Sequence, residues 1–170
     1  LVVTLTSRIA KTLGLAHNHP EATQLTYRKD LARLRLKQEN CNVPEFEVCK
    51  FADSNNLGTS LNYPVVLKPL MLSGSRGVIR ANSDKEFLIA AKKIKTILTK
   101  DQYPDYERQH FLVEKFLVGE EIAIDGFVQN GQFITLALFD KPEPLNGPYF
   151  EESYYITPSR HPEHVQRSII

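Results

Sequence analysis

The fold is decided by two stretches of the chain, Tyr63-Pro-Val-Val-Leu-Lys-Pro-Leu-Met-Leu-Ser-Gly-Ser-Arg-Gly-Val78 and Phe111-Leu-Val-Glu-Lys-Phe-Leu-Val-Gly-Glu-Glu121. Each opens with an apolar run that is typical of a buried strand, and each ends in polar residues. A loop of small residues and an amphipathic helix lie between them. Strands that deliver polar groups at their ends, beside a small-residue loop, are the parts of a nucleotide site.

Periodic apolar positions predict the other elements. Helices are predicted over residues 1–13, 23–39 (starting near Pro20) and 83–99, with a further one beginning near Pro162. Strands are predicted over residues 46–51, 64–67, 78–81, 111–116, 122–128 and 133–139. Residues 53–58 fit a polar break or a short helix. Strands and helices alternate before Glu114 and antiparallel strands follow it, so we expect an α+β fold in two lobes.

Three local patterns refine this outline. The first helix carries an apolar stripe and ends at Gly14; its positions are Val2, Leu5, Ile9, Ala10 and Leu13. Ser83 and Glu86 form a predicted capping box, in which each side chain satisfies the other's backbone N–H. Asn130-Gly131 is a hairpin signal between the last two strands.

Composition argues against several classes of partner. The net charge of +1, from 21 basic and 20 acidic residues, gives no reason to expect nucleic acid. No apolar run approaches the roughly 20 residues of a membrane-spanning helix. Cys41 and Cys49 lack the spacing of a disulfide framework or a metal site. With no secretory signal visible we expect a cytoplasmic protein, and because the only methionine is Met71 we expect a piece of a longer chain.

A basic cluster lies within ten residues, formed by Arg28, Lys29, Arg33, Arg35 and Lys37. On a helix these side chains spread over more than one face. We interpret the cluster as mainly a solvated helix surface, with Lys29 considered separately below.

Lys68 closes the strand at 64–67 beside a flexible loop, where its ammonium could hold a phosphate oxygen. A lysine that ends a strand is also a common surface residue. The loop that follows contains Ser73, Gly74, Ser75, Arg76 and Gly77. Its glycines let backbone N–H groups approach a phosphate, although the loop lacks the ending of a Walker A motif. An ordinary turn and a phosphate loop both stay open for this segment alone.

The second stretch leaves its strand at Glu114-Lys-Phe-Leu117. The backbone there could offer a carbonyl and an N–H to adenine, and Phe116 and Leu117 could line the pocket. A carboxylate just beyond, such as Glu121, could accept hydrogen bonds from both ribose hydroxyls. The alternative is that Glu114 and Lys115 form a strand-end charge pair and that Glu121 is a surface charge.

Taken together, these segments resemble the ATP-grasp superfamily: a Pro-Val-Val-Leu-Lys-Pro strand, a Ser/Gly loop, a capped helix and then Val-Glu-Lys-Phe-Leu-x-Gly-Glu-Glu. Residues 13–44 are similar to the segment that enters the grasp in biotin carboxylases and amino-acid ligases. Residues 140–159 are similar to a segment of carboxylate–amine ligases. The resemblance covers nearly the whole chain. It implies an ATP-grasp fold of two lobes with a nucleotide cleft between them, the second lobe being incomplete.

The resemblance also implies the division of the chain. Residues 1–45 would form the helical lead-in, residues 46–117 the small lobe, and residues 118–170 the start of the larger antiparallel lobe.

Site residues follow from the same resemblance. It implies that Lys29 and Lys68 hold ATP phosphates and that residues 73–78 form the lid loop. In the segment of Glu114, Lys115, Phe116 and Leu117, the Glu114 side chain and the backbone of Phe116 and Leu117 would read adenine, and Glu121 would take the ribose. Lys29-Asp30 reverses the Asp-Lys order that is more usual in the family.

Enzymes of this kind use ATP to phosphorylate a carboxylate, and an amine then attacks the acyl phosphate. Mg²⁺ bridges the β- and γ-phosphates. Its acid ligands are expected beyond Ile170, so no metal ligand is assigned within the chain. We therefore expect ATP binding in an ATP-dependent carboxylate–amine ligase. Its partners would be a small-molecule acid, an amine and the remainder of the same polypeptide.

Two alternatives stay open. One is a nucleotide-binding or interaction module without catalysis. The other is a fragment of an enzyme that activates bicarbonate, as biotin carboxylase does. The loop at residues 140–150 could line an acceptor pocket or could simply turn a corner.

Overall fold

The structure, a computed structural model, describes residues 2–51, 59–100 and 103–170, and the predicted break at 53–58 lies outside them. The chain divides into two compact units, residues 1–117 and residues 118–170. Helices of the first unit are α1 (Val2–Thr12), α2 (Pro20–Leu25), α3 (Lys29–Gln38), α4 (Asp84–Lys100) and α5 (Asp105–Gln109). Its strands are β1 (Phe46–Lys50), β2 (Val65–Pro69), β3 (Ile79–Ala81) and β4 (His110–Lys115).

The four strands of the first unit form one sheet in the order β1-β4-β2-β3. Every neighbouring pair is antiparallel. Strand β3 pairs with β2, with Val65 opposite Ala81 and Leu67 opposite Ile79. Because side chains alternate along a strand, this register gives the sheet two chemically different faces.

One face of the sheet packs on α4 and forms the core. Leu67, Phe111 and Val113 of the sheet are fully buried there against Phe87 and Ile94 of the helix. The predicted amphipathic pattern of α4 is therefore confirmed, with the lysines of the helix on its exposed side.

One of the two hydrogen bonds of the predicted capping box is replaced at the start of α4. The backbone N–H of Glu86 donates to Oγ of Ser83 at 3.4 Å, as expected. Oε2 of Glu86, however, accepts from the backbone and side-chain amides of Asn82, both at 2.8 Å. Asn82 offers two donors to one carboxylate oxygen, which makes it the better partner than the single N–H of Ser83.

The predicted helix over residues 23–39 is wrong in its continuity, because the chain breaks between α2 and α3. Arg28 has an extended backbone, with φ −103° and ψ 95°. Its guanidinium is held by Asp30 and by the distant Glu107, so the chain leaves the helical path to make these contacts. Lys29 then starts α3, and its backbone N–H donates to the carbonyl of Leu70 at 3.0 Å.

Helix α1 forms where predicted, but its apolar stripe faces outward. Thr4 and Ser7 are its buried side chains, while Val2, Leu5 and Ile9 are exposed. Ser7 donates to the carbonyl of Asn18, which ties this polar side of α1 to the segment that leads into α2. The apolar periodicity thus predicted the position of the helix correctly, but it did not predict which side of the helix is buried.

The second unit contains β5 (Ile122–Gln129), β6 (Gln132–Asp140) and α6 (Glu163–Ile169). The hairpin is confirmed, with left-handed backbone at Asn130 (φ 51°) and Gly131 (φ 79°). After β6 the chain returns, and Asp140 pairs with Ile156 through two backbone hydrogen bonds of 2.9 and 3.0 Å. Among the described helices of both units, none has the length and apolar character to cross a membrane.

Two isoleucines of α4 test the core. Ile94 is 0% exposed and Ile89 is 48% exposed. We expect Ile94→Ala to lower the free energy of unfolding by about 2–5 kcal/mol, because it leaves a cavity. The same truncation at Ile89 should cost less than about 1 kcal/mol, because its side chain is half in solvent. Equal losses in chemical denaturation would contradict this packing.

Candidate functional site

The sheet face opposite α4 carries charged residues at adjacent strand positions. In the β2–β4 register Lys68 lies opposite Leu112 and Val66 lies opposite Glu114. These four side chains therefore share one face, with Lys68 and Glu114 as diagonal neighbours. Two residues predicted from separate stretches of sequence are brought together here.

Glu114 is a buried carboxylate with a cation on each oxygen. Its side chain is 3% exposed. Oε1 accepts from Nε of Arg33 at 2.5 Å, and Oε2 accepts from the ammonium of Lys68. Arg33 comes from α3, so this contact joins that helix to the charged face of the sheet. In this structure Glu114 serves as the counter-ion of Lys68; its predicted role as a contact for adenine stays a prediction.

Lys29 lies beside this cluster. Its backbone is fixed to Leu70, and its ammonium donates to the carbonyl of Leu72, at the start of the loop that follows β2. Burial, and next the positive charge of Lys68, lower the pKa of Lys29 to about 8. The second cause shows that the two lysines of the prediction lie close enough to repel each other.

The basic cluster of α3 is not mainly a solvated surface, so that interpretation is corrected. Arg28 holds Asp30 through two bonds of 2.9 and 2.7 Å and Glu107 through one of 2.6 Å, all largely buried. Lys29 and Arg33 also turn inward, whereas Arg35, paired with Glu39, and Lys37, whose ammonium lies 5.9 Å from the centre of the Phe46 ring, are exposed. Residues four apart share a helix face, which explains why Lys29 and Arg33 point to the same place.

The arrangement attracts anions. Lys29, Arg33 and Lys68 present three positive charges against the single carboxylate of Glu114. Arg28 is already neutralised by Asp30 and Glu107. A phosphate group brings charged acceptor oxygens, and such hydrogen bonds are stronger than the one Lys29 makes to a neutral carbonyl.

The backbone of the loop after β2 turns tightly. Gly74 and Ser75 are consecutive left-handed residues (φ 60° and 52°), and Gly77 is a third (φ 77°). A left-handed serine is uncommon, and such conformations concentrate at functional sites. Gly77 is also fixed by packing, since a Cβ there would lie 2.8 Å from Cγ of buried Pro69. Ser73, Gly74 and Arg76 are exposed, so the tip of this predicted lid loop is open to solvent.

The predicted adenine segment offers fewer backbone groups than the sequence implied. The N–H of Lys115 donates to Glu45 at 2.9 Å and that of Phe116 donates to Pro64 at 3.0 Å. Within the described residues, the N–H of Leu117 makes no such bond, and its side chain is 64% exposed. The backbone N–H of Leu117 is therefore the group of this segment that can donate a hydrogen bond to a ligand.

Lys115 is not brought to the cluster, because alternation along β4 places it on the opposite face from Glu114. Its ammonium lies 4.0 Å from Glu45 instead. Arg80, which the sequence interpretation overlooked, lies opposite Val66 and so on the charged face. Its guanidinium stacks over the Phe116 ring at 4.1 Å. The signal was available, since an arginine between the core residues Ile79 and Ala81 must point to the other side of the sheet.

Glu121 belongs to the second unit. Its Oε1 accepts from the ammonium of Lys141 at 2.5 Å, and the same ammonium donates to Glu152 at 2.7 Å. The predicted ribose carboxylate is therefore an ion-paired residue, and its pairing partner was also overlooked.

No group of three His, Cys, Asp or Glu side chains that could hold a metal ion lies within residues 2–51, 59–100 and 103–170. None of these residues is assigned to the Mg²⁺ that the family resemblance implies.

Comparison with known families identifies the family of the fold. Residues 61–169 match the family model of the ATP-grasp domain. The chain belongs to the ATP-grasp family. The matched range includes Lys68, Glu114 and Glu121, while Lys29 and Arg33 precede it.

Two relatives of about 30% identity are named as a synthase and a ligase. The chain is 30% identical over 95 residues to dapdiamide A synthase of Enterobacter agglomerans, which covers 55% of this chain and 22% of that protein. It superposes on L-amino acid ligase from Bacillus licheniformis with a TM-score of 0.81 and 28% identity, over 98% of this chain and 39% of the other.

A more distant structure shares the ATP-grasp fold alone. N5-carboxyaminoimidazole synthetase from Staphylococcus aureus, complexed with ADP, superposes with a TM-score of 0.62 and 18% identity, over 89% of this chain and 37% of that one. The chain thus spans less than two-fifths of the length of each of these three proteins.

Glu114 gives a test of the buried cluster. We expect Glu114→Gln to lower the free energy of unfolding by about 2–3 kcal/mol, because Arg33 and Lys68 lose their shared counter-charge while both remain mostly out of water. Glu45→Gln is the matched control. Its pair with Lys115 is exposed, so its loss should cost less than about 0.5 kcal/mol. A loss at Glu114 no greater than at Glu45, measured by denaturant titration, would contradict the structural role of the pair.

Proposed function

We propose that this chain supplies the ATP-binding residues of an ATP-dependent carboxylate–amine ligase. The observation that carries the proposal is the cluster of Lys29, Arg33 and Lys68 around one carboxylate, in a chain of the ATP-grasp family. Its similarity to an L-amino acid ligase and to dapdiamide A synthase supports ligation to an amino acid as the reaction class.

The phosphates of ATP would be held by Lys29 and Lys68. The ammonium of Lys29 lies at the start of the loop after β2, since it donates to Leu72, and the ammonium of Lys68 lies on the charged face of the sheet beside Glu114. The left-handed backbone of Gly74, Ser75 and Gly77 suits this loop to present N–H groups to phosphate oxygens. Ser73 and Arg76 add a hydroxyl and a cation at its exposed part.

The base and the sugar would be read by the residues that follow β4. Leu117 offers its N–H to adenine, and Phe116, stacked under Arg80, supplies an apolar surface. We assign Glu121 to the ribose hydroxyls from its position in the sequence. Glu114 is assigned mainly to the orientation of Lys68, with the adenine contact as its second proposed role.

In the proposed reaction, ATP phosphorylates a substrate carboxylate and an amine displaces the phosphate from the acyl phosphate. Mg²⁺, when bound to the complete enzyme, would offset the charge of the triphosphate. No described residue is assigned to that metal, and the contribution proposed for this chain is to bind and orient the nucleotide.

Isothermal titration of ATP into the full-length protein tests the phosphate assignment. Lys68→Met removes one charged contact, and we expect ATP to bind about 10- to 100-fold more weakly. Lys85→Met on the exposed side of α4 removes the same charge away from the cluster and should leave the affinity unchanged. Unchanged binding in Lys68→Met would refute the proposal, and equal weakening in both variants would reduce it to a general charge effect.

The lowered pKa of Lys29 predicts that ATP affinity depends on pH. The ammonium form, which attracts phosphate, is present below about pH 8 and lost above it. Between pH 7 and pH 9 its population in the free protein falls about tenfold, so the dissociation constant of ATP should rise by up to about tenfold. Lys29→Arg keeps its charge throughout this range and should flatten the profile. The same rise in Lys29→Arg would show that another group titrates.

A further inference from the structure

The second unit contains a cation enclosed by two carboxylates. Lys141 donates to Oε1 of Glu121 at 2.5 Å and to Oε1 of Glu152 at 2.7 Å, and its side chain is only 10% exposed. Its ammonium also lies 5.2 Å from the centre of the Tyr155 ring. These three contacts restrict the conformation of Lys141, and through it they restrict the Glu121 carboxylate.

The backbone places Lys141 next to Glu121 before any side chain is considered. Ile122 opens β5 directly opposite Asp140, the last residue of β6. The N–H of Lys141 continues this ladder and donates to the carbonyl of Glu121 at 3.2 Å. The two residues are therefore neighbours across the end of the hairpin.

Glu152 and Tyr155 hold Lys141 from its other side. The hydroxyl of Tyr155 donates to Oε2 of Glu152, while Oε1 of Glu152 accepts from Lys141. The hydrogen bond from Lys141, and next that from Tyr155, lower the pKa of Glu152 and keep it charged. Burial opposes the charge of Lys141, but its bonds to Glu121 and Glu152 outweigh burial and raise its pKa.

The carboxylate of Glu121 is the part of this cluster that remains accessible to solvent. Its side chain is 53% exposed, whereas Lys141 is enclosed. A carboxylate has about four acceptor positions on its two oxygens, and Lys141 takes one of them, on Oε1. Enough acceptors remain for two hydroxyl donors, and the side chain has already lost the rotamer freedom that binding would otherwise cost.

We propose that Lys141 is a positioning residue that presents the Glu121 carboxylate to the two ribose hydroxyls of the nucleotide. This inference rests on the ribose role of Glu121 given under the proposed function. In it Lys141 touches Glu121 and not the nucleotide. Its removal therefore weakens only the interaction that depends on the ribose hydroxyls.

The experiment compares ATP with 2′,3′-dideoxy-ATP, which lacks both hydroxyls, by titration calorimetry on the full-length protein. The wild-type protein should bind ATP the more tightly of the two. Lys141→Met should weaken ATP binding about five- to tenfold, the equivalent of one charged hydrogen bond, and leave dideoxy-ATP unchanged. Lys141→Arg, which keeps the charge, should restore most of the preference. A loss of fold would weaken both nucleotides, so the comparison within one variant separates the two causes.

Glu121→Gln separates the inference from the function on which it rests. If Glu121→Gln keeps the preference for ATP, the ribose role of Glu121 is wrong and the inference falls with it. If Glu121→Gln abolishes the preference and Lys141→Met keeps it, the ribose role stands and the inference is overturned. Equal weakening of both nucleotides in Lys141→Met, at an unchanged midpoint of thermal unfolding, also overturns it, because Lys141 would then act on a part that they share.

The double variant completes the test. If Lys141 acts through Glu121, adding Lys141→Met to Glu121→Gln should cause no further loss of ATP affinity. Losses that add in full would overturn the inference.

Discussion

The carboxylate of Glu114 is bonded to Arg33 of α3 and to Lys68 of β2, and the rest of the candidate site depends on this contact. It attaches α3 to the charged face of the sheet, and Lys29, four residues before Arg33, is thereby directed to the end of β2. A buried ion pair adds little stability over an apolar replacement, although breaking it is costly. Its contribution here is placement, because one anion fixes the positions of two cations, one of which we propose to bind a phosphate.

The second unit shows the reverse arrangement of charge. Phosphate binding requires cations, and in the first unit the anion Glu114 fixes them. The ribose hydroxyls are proposed to donate to a carboxylate, and in the second unit the cation Lys141 is bonded to that carboxylate, Glu121. In both clusters the fixing residue is enclosed and the residue proposed to touch ligand is more exposed. In both clusters an enclosed charge therefore orients a partly solvated charge of opposite sign. The enclosed charge is negative in the first unit and positive in the second.

The strands, α4 and the hairpin could be predicted from the sequence because their signals, apolar spacing and the turn residues Asn130-Gly131, are local; the strand order β1-β4-β2-β3 could not. Nor could the sequence predict the break before α3, since that break depends on the contact of Arg28 with Glu107, 79 residues away. The outward orientation of the apolar stripe of α1 could not be predicted either. The spacing of apolar residues shows which side of a helix is apolar, but it does not show what packs against that side. In the site, Lys68 and Glu114 were predicted as separate elements, and their contact follows only from the β2–β4 register. Lys141 was overlooked because its partner lies across the hairpin.

The two phosphate lysines would contribute unequally to the proposed ATP complex. Lys68 already has a charged partner, so a phosphate must share its ammonium with Glu114 and gains only the difference. Lys29 donates to the neutral carbonyl of Leu72 in a buried setting, where its charge is poorly compensated. A phosphate would replace that carbonyl by a charged acceptor, which makes the stronger hydrogen bond. The larger gain therefore belongs to Lys29, although the sequence around Lys68 gave the clearer signal of a nucleotide site.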